Sequence, residues 1–312
     1  MSCDLCPRHC SADRQNGERG YCGESAEVMA GRAALYAWEE PCISGSRGSG
    51  AVFFSGCPLH CVYCQNYRIS GGRDCGVSVS TRGLADAFLS LQKKGANNIN
   101  LVTATQFVPQ VVAAGREAVR EGLSIPFVYN TSSYETVGTL QQLSGLVTCY
   151  LPDFKYVSSE TARAYSNAPD YPVTAFKAIT QMVKQAGPCE FFGEEEAKTC
   201  GVEPGILKKG VIVRHLLLPG HVREACQAVK LLYDAFGDDI YFSLMNQYTP
   251  ISGLALPQEL RRRVTKREYE RFLDYVLDLG VTRAFFQEGP TQKESFIPDW
   301  NGEGLTASPS CD

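Results

Sequence analysis

The sequence predicts an α/β chain: a partial (β/α)6 TIM-like barrel with a small N-terminal Cys-rich module. Three observations predict it. Beyond residue 50, short apolar runs alternate with stretches of helical periodicity. Most of the runs are four to eight residues long and rich in β-branched or aromatic types, as strands buried on both faces of a parallel sheet should be. The first 50 residues break this rhythm and carry four cysteines close together. Strand–helix repeats of this length imply right-handed βαβ units. Six or seven such units over about 240 residues fit a partial or complete barrel, with a doubly wound open sheet as the alternative.

The strand-like runs are AVFFS (51–55), INLV (99–102), PFVY (126–129), VTCYL (147–151), VIVRHLLL (211–218), IYFSLM (240–245) and RAFFQ (283–287). Between the first two, Leu84, Phe88 and Leu91 share a helical face, with Ser80 or Thr81 as N-cap. Val108, Val111, Val112 and Val119 mark the next helix, and Val222 to Phe236 and Tyr269 to Leu279 are the later clear ones. Residues 187–205, acidic and Gly-rich, read as a solvated loop. The loop SGSRGSG (44–50) has the glycines of a phosphate cradle. It lacks the Lys-Ser/Thr ending and precedes a strand, so phosphate binding is not expected. The boundaries read as an N-terminal Cys-rich metal-binding module (1–50), a barrel (51–290) and a polar C-terminal tail (291–312).

Composition excludes several classes. With 312 residues, 44% hydrophobic and 21% charged, the chain is globular and not disordered. Thirty basic against thirty-four acidic residues give −4, which argues against nucleic-acid partners. No run approaches the ~18 apolar residues of a membrane span, and no secretory signal is expected. A cytoplasmic setting follows. Thiols stay reduced there, so 14 cysteines point to metal or redox chemistry. Cys149 and Cys226 read as buried apolar side chains, Cys42 less plainly so, and Cys311 as part of a frayed end.

Two cysteine groups remain. GCPLHCVYCQN (56–66) places Cys57, Cys61 and Cys64 at Cys-x3-Cys-x2-Cys, directly after the first strand. Such a spacing arises by chance about 0.03 times in a chain of this cysteine content. Barrels place their chemistry at that end of their strands. Three thiolates with no nearby fourth do not close a structural zinc site. In a four-iron cluster they leave one iron open. His60, inside the loop, and a distant fourth Cys are the other ways to complete the set. The second group, Cys3, Cys6, Cys10 and Cys22, spaced x2, x3 and x11, suits an all-thiolate site: zinc with a fold-closing role, or an auxiliary iron–sulfur cluster. His9 is adjacent and is a possible substitute for one Cys.

The Cys-x3-Cys-x2-Cys loop, Tyr63 before its third Cys and the Gln65-Asn66 that follows resemble the radical S-adenosylmethionine superfamily. With CDLCPRHC, WEEPCISG, YLPDFKY, VRHLLLPG and SLMNQY, the chain is most similar to the pyruvate formate-lyase activating enzyme-like branch, here with an added N-terminal four-cysteine motif. The resemblance spans about residues 1 to 300. It implies a radical SAM oxidoreductase in which Cys57, Cys61 and Cys64 hold a 4Fe–4S cluster. The open iron would chelate S-adenosylmethionine, and reductive cleavage would yield a 5′-deoxyadenosyl radical that abstracts hydrogen from a substrate. It also implies roles for single residues. Tyr63 would lie against adenine, Asp153 would take the ribose diol and Lys155 the cofactor carboxylate. Arg214, an Arg in an apolar strand, would point inward to a carboxylate, with His215 on the opposite face. Gln247, with Asn246 and Tyr248, would touch adenine or substrate. The family's Gly-Gly-Glu after the second strand is replaced by VTATQF, where Thr103 and Thr105 offer hydroxyl and backbone acceptors instead. The implied partners are a substrate protein or peptide, such as a glycyl-radical enzyme, and a reductant such as flavodoxin or ferredoxin. Modification of another peptide or a small molecule is the alternative within this chemistry. A non-catalytic iron–sulfur electron carrier or zinc-binding scaffold is the alternative outside it.

Overall fold

The computed structural model describes residues 3–71, 75–287 and 299–307. Among them ten strands form: β1 (Met29–Tyr36), β2 (Ser49–Phe54), β3 (Val77–Ser78), β4 (Ile99–Val102), β5 (Phe127–Thr131), β6 (Val147–Pro152), β7 (Glu190–Phe191), β8 (Leu207–Leu216), β9 (Ile240–Met245) and β10 (Ala284–Phe286). Their order is β10-β9-β8-β6-β5-β4-β2-β1-β3, with β7 paired to β8 off that path. Every pairing from β2 to β10 on the path is parallel. β1, β3 and β7 pair antiparallel.

Two short helices, α1 (Pro41–Ser44) and α2 (Tyr67–Ser70), flank β2 and its loop. The crossover helices are α3 (Thr81–Lys93), α4 (Val108–Arg120), α5 (Val137–Gln142), α6 (Ser159–Ser166), α7 (Tyr171–Ala186), α9 (Val222–Phe236) and α10 (Lys266–Asp278), with α8 (Glu194–Cys200) between β7 and β8. Six helical crossovers thus link seven parallel strands. The strand order never reverses, so each right-handed crossover lays its helices on the same side. A doubly wound sheet reverses its order and has helices on both sides. The ends of all seven parallel strands, or residues just beyond them, line a single cavity, so the sheet curls around it. The architecture is a partial TIM-like barrel. Among the described residues no helix is long and apolar enough to cross a membrane.

Apolar burial explains why the strands are legible. All six residues of β2 and all four of β4 are buried. Ser80 caps α3, its hydroxyl accepting the Gly83 N–H at 3.0 Å. On α4, Val119 is exposed, and the buried face runs instead through Ala114, Gly115 and Ala118. A Cβ on Gly115 would come within 2.7 Å of Leu146, so close helix–sheet packing asks for a small residue there. α10 begins three residues before the expected Tyr269 because Thr265 and Glu268 form a capping box.

Residues 187–205 differ from expectation. They fold as β7, antiparallel to β8, and as α8, which has three acidic residues in its first turn and Gly201 as a left-handed C-cap. The SGSRGSG loop does cradle an anion, but the anion belongs to the chain. The Glu203 carboxylate accepts the N–H groups of Ser46 (2.9 Å) and Arg47 (3.2 Å) and the amide of Asn97. Burial opposes its charge, yet these bonds hold its pKa down to about 2. The described part of the tail packs on β1: Trp300 lies edge-on to Phe53, and Ala33 donates to the Glu303 carbonyl. Cys311 lies outside the described residues.

Candidate active site

The loop after β2 is bent by its sequence. Gly56 has φ +78°, and a Cβ there would lie 2.7 Å from the Cys22 carbonyl oxygen. The next residue, Cys57, donates its N–H to that same oxygen at 3.3 Å. Cys57, Cys61 and Cys64 then all reach the wall of one cavity of about 380 Å³ at the C-terminal ends of the parallel strands. Burial, and the nearness of the other two thiols, push Cys57 up to about 12. Cys64 is pushed to about 11 by burial and by Cys61. Thiols whose ionisation is opposed by burial and by neighbouring thiols, as at Cys57 and Cys64, suit a cationic centre, which would reverse that balance. Among the described residues no three His, Cys, Asp or Glu side chains stand close enough to grip a single ion. A cluster in which each thiolate caps a different iron asks for wider spacing.

A chain of hydroxyls reaches these sulfurs. The Tyr63 hydroxyl lies 2.8 Å from that of Tyr156. Tyr156 lies 2.8 Å from the Ser166 hydroxyl, which donates to Cys61 Sγ at 3.2 Å. Hydrogen bonds to ligand sulfurs tune a cluster's potential. Tyr63 also lines the cavity, with Tyr248 and Tyr165 packed edge-on against it. Its hydroxyl is committed to Tyr156, which leaves ring and backbone for any ligand.

Strand ends supply the polar wall. Asp153 and Lys155 follow β6 and pair at 2.6 Å, both facing the cavity. Burial disfavours the Lys155 charge more than any one neighbour favours it, but Asp153 together with Tyr63, Cys61 and Tyr171 holds the ammonium well above its ordinary range. Thr103, beyond β4, also lines the cavity and has φ +59°. That left-handed conformation is unusual for a β-branched residue and costs on the order of 1–3 kcal/mol. Gln247 lines the cavity as well.

Arg214 points inward as its strand position predicts, and the carboxylates that meet it come from the chain itself. Its Nε donates to Glu40 at 2.8 Å, and Nη2 donates to both Glu39 and Glu40. Asn100 donates to Glu39 at 2.8 Å. Glu39 and Glu40 stand in the WEEPCISG stretch, and the sequence offers no sign that they reach across 174 residues to β8. His215 faces the other way. Its Nδ1 donates to the Phe154 carbonyl and its ring lies near Phe272, while burial keeps it neutral.

Thr105 is not on this cavity. It opens a 3₁₀ turn (Thr105–Phe107) that swings its hydroxyl to Glu135 at 2.6 Å. Thr131 and Tyr129 donate to the same carboxylate oxygen. Burial pushes Glu135 up to about 7. Asn246 is buried and off the cavity. Tyr248 donates to the Leu260 carbonyl at 2.6 Å. His60 is tied to the N-terminal module, with Nε2 donating to the Tyr21 carbonyl at 3.1 Å and its ring edge-on to Tyr21.

The other four thiols lie beside this loop, and they too stand farther apart than a single ion would hold them. Cys3, Cys6, Cys10 and Cys22 line one cavity of only about 10 Å³, closed by Pro58, Thr105 and Gln106. Arg14 is buried against it. Its guanidinium donates to the carbonyls of Glu24, Gln106 and Ser25 and to Cys3 Sγ at 3.7 Å. Among the described residues no carboxylate comes within ion-pair distance of it. A metal held by four thiolates is anionic, so a buried cation without a carboxylate fits such a centre. His9 turns outward to Asp4.

No protein-family model matches the chain. An uncharacterised protein of Methanocaldococcus jannaschii is 26% identical over 289 residues, covering 89% of this chain and 76% of that protein. Among solved structures, the chain is similar to SuiB of Streptococcus suis, solved alone, bound to S-adenosylmethionine and bound to the precursor peptide SuiA. TM-scores are 0.48 to 0.49 and identities 12 to 13%, over 75 to 77% of this chain. The chain spans about half the length of SuiB, 47 to 48%.

Proposed function

We propose that the chain is a radical S-adenosylmethionine enzyme that abstracts hydrogen from a peptide or protein, a glycyl-radical enzyme being the narrowest form of that reading. One observation carries it: three cysteines on one loop share the wall of a cavity of about 380 Å³ with charged and amide side chains from the strand ends. An electron carrier needs no such chamber, whereas a cofactor and a substrate side chain do. When bound, the 4Fe–4S cluster supplies one electron and an open coordination position for the cofactor's amino and carboxylate groups.

The chain's own residues do the rest. Cys57, Cys61 and Cys64 hold the cluster. Lys155 takes the cofactor's carboxylate and Asp153 its ribose hydroxyls, the two side chains paired at 2.6 Å. Thr103, in a left-handed backbone conformation that favours glycine, offers its hydroxyl and the free side of its carbonyl to the amino group. Tyr63 presents its ring to adenine, with Gln247 nearby. Arg214, held by Glu39 and Glu40, forms a rigid polar floor under the substrate. The N-terminal four cysteines bind zinc or an auxiliary cluster. The substrate is a protein or peptide, and the electron comes from a carrier such as flavodoxin or ferredoxin, in the cytoplasm.

Anaerobic reconstitution with iron and sulfide, then dithionite and S-adenosylmethionine, tests this reading. 5′-Deoxyadenosine and methionine are the expected products. A chain that binds four irons at this loop yet leaves the cofactor intact, with peptide substrates present, overturns it in favour of an electron carrier.

A further inference from the structure

We propose that the N-terminal cysteine knuckle is a clamp on the three-cysteine loop, with Arg8 as its positioning residue. The inference rests on the cluster-binding reading above. Arg8 stands between Cys6 and Cys10, so whatever gathers those thiols also fixes Arg8. Its guanidinium crosses from the knuckle to two separate pieces of the barrel. Nε donates to the Pro58 carbonyl at 2.8 Å, inside the three-cysteine loop. Nη2 and Nη1 donate to the carbonyls of Ser166 (3.0 Å) and Asn167 (2.6 Å) at the end of α6.

Those carbonyls are among the acceptors a helix leaves unpaired at its C-terminus, where a cation is favoured. Ser166 is also the residue whose hydroxyl donates to Cys61 Sγ. Arg8 therefore pins, with one planar fork, the loop that carries the three thiols and the hydroxyl that bonds one of them. Tyr21, from the same knuckle, stacks on the guanidinium at 4.1 Å, which holds the fork in its plane. Lysine has no such planar fork, and its single nitrogen cannot span the Pro58 carbonyl and the α6 end in the same fixed geometry. Two further contacts join the pieces independently: the Cys57 N–H to the Cys22 carbonyl, and His60 to the Tyr21 carbonyl.

The test compares anaerobically reconstituted full-length chains: wild type, Arg8→Ala, Arg8→Lys, Ser166→Ala and the Arg8→Ala/Ser166→Ala double variant. Iron release to a ferrous chelator is followed alongside the electron paramagnetic resonance (EPR) spectrum of the reduced cluster. A Cys57→Ala/Cys61→Ala/Cys64→Ala chain gives the release due to the four-cysteine site alone, and thermal melts confirm folding. The clamp predicts that Arg8→Ala loses iron from the three-cysteine site roughly tenfold faster, the size usual for groups that orient metal ligands. Its EPR spectrum shifts in the same direction as that of Ser166→Ala. The double variant is less impaired than the two single effects combined, and Arg8→Lys is intermediate. Release and spectra unchanged in a folded Arg8→Ala chain overturn the clamp while leaving the cluster reading intact. No iron at the three-cysteine loop of the wild type overturns both.

Discussion

The two cysteine groups use the same donor atom and lie one hydrogen bond apart, yet they enclose different amounts of space. Four thiols at the N-terminus surround about 10 Å³, with a buried arginine against them. Three thiols on the β2 loop open onto about 380 Å³ lined by polar side chains. Donor count and room change together. Four thiolates on one metal would close a site and serve the fold, and three beside a chamber would leave a position open to chemistry. The buried cations differ in the same way. Arg214 is answered by Glu39 and Glu40, whereas Arg14 has carbonyls and a sulfur. The cation at the open chamber meets carboxylates of its own chain, and among the described residues the one at the closed site meets none.

The largest expected effect breaks the comparison at its open end. Cys61→Ala lowers 5′-deoxyadenosine formation by more than about a hundredfold, while the metal of the four-cysteine site, counted by elemental analysis, stays. The arginines come next. Arg214→Met strands two buried carboxylates and costs about 3–5 kcal/mol in denaturant unfolding, with or without metal. Arg14→Met takes the donor from the Glu24, Ser25 and Gln106 carbonyls in either state, but it costs less in the metal-free chain, where it also removes a buried cation lacking a carboxylate, than in the loaded one, where it speeds metal loss. Equal effects of Arg14→Met in both states would contradict the charge argument.

A third prediction concerns Glu135, at the seam between the two groups. Burial raises it from an ordinary 4.5 to about 7. Between those values the unfolded chain has lost the proton and the folded chain still holds it. Stability therefore falls as pH rises from 4.5 to 7 and levels off above, by about 3 kcal/mol. In Glu135→Gln that fall is absent from unfolding curves across the same window. The smallest effect lies far from either group. Thr265→Ala breaks the capping box of α10 and costs about 1 kcal/mol, with cofactor cleavage unchanged.

What the sequence made legible follows from the range of each interaction. β4 and β9 coincide with the expected runs because INLV and IYFSLM owe their state to burial, which their own composition announces. β1, MAGRAALY, stayed hidden: its mixed residues become a strand because β2 offers it an edge. β7 is two residues long and exists because β8 overhangs its neighbours. In the site, Cys57, Cys61, Cys64, Asp153, Lys155, Thr103, Arg214 and Gln247 all reach one cavity, each carried by a motif at a strand end. Thr105 does not, since a 3₁₀ turn replaces the extended alternation that would have kept it beside Thr103. Glu39, Glu40 and Arg8 were silent because their partners lie 175, 174 and up to 159 residues away.

The central claim is that one iron at the three-cysteine loop keeps a free coordination position. EPR of the dithionite-reduced chain, before and after S-adenosylmethionine, tests it most directly. The account predicts a changed cluster spectrum on addition, lost in Cys61→Ala. A reduced 4Fe–4S spectrum at this loop that the cofactor leaves unaltered would contradict it.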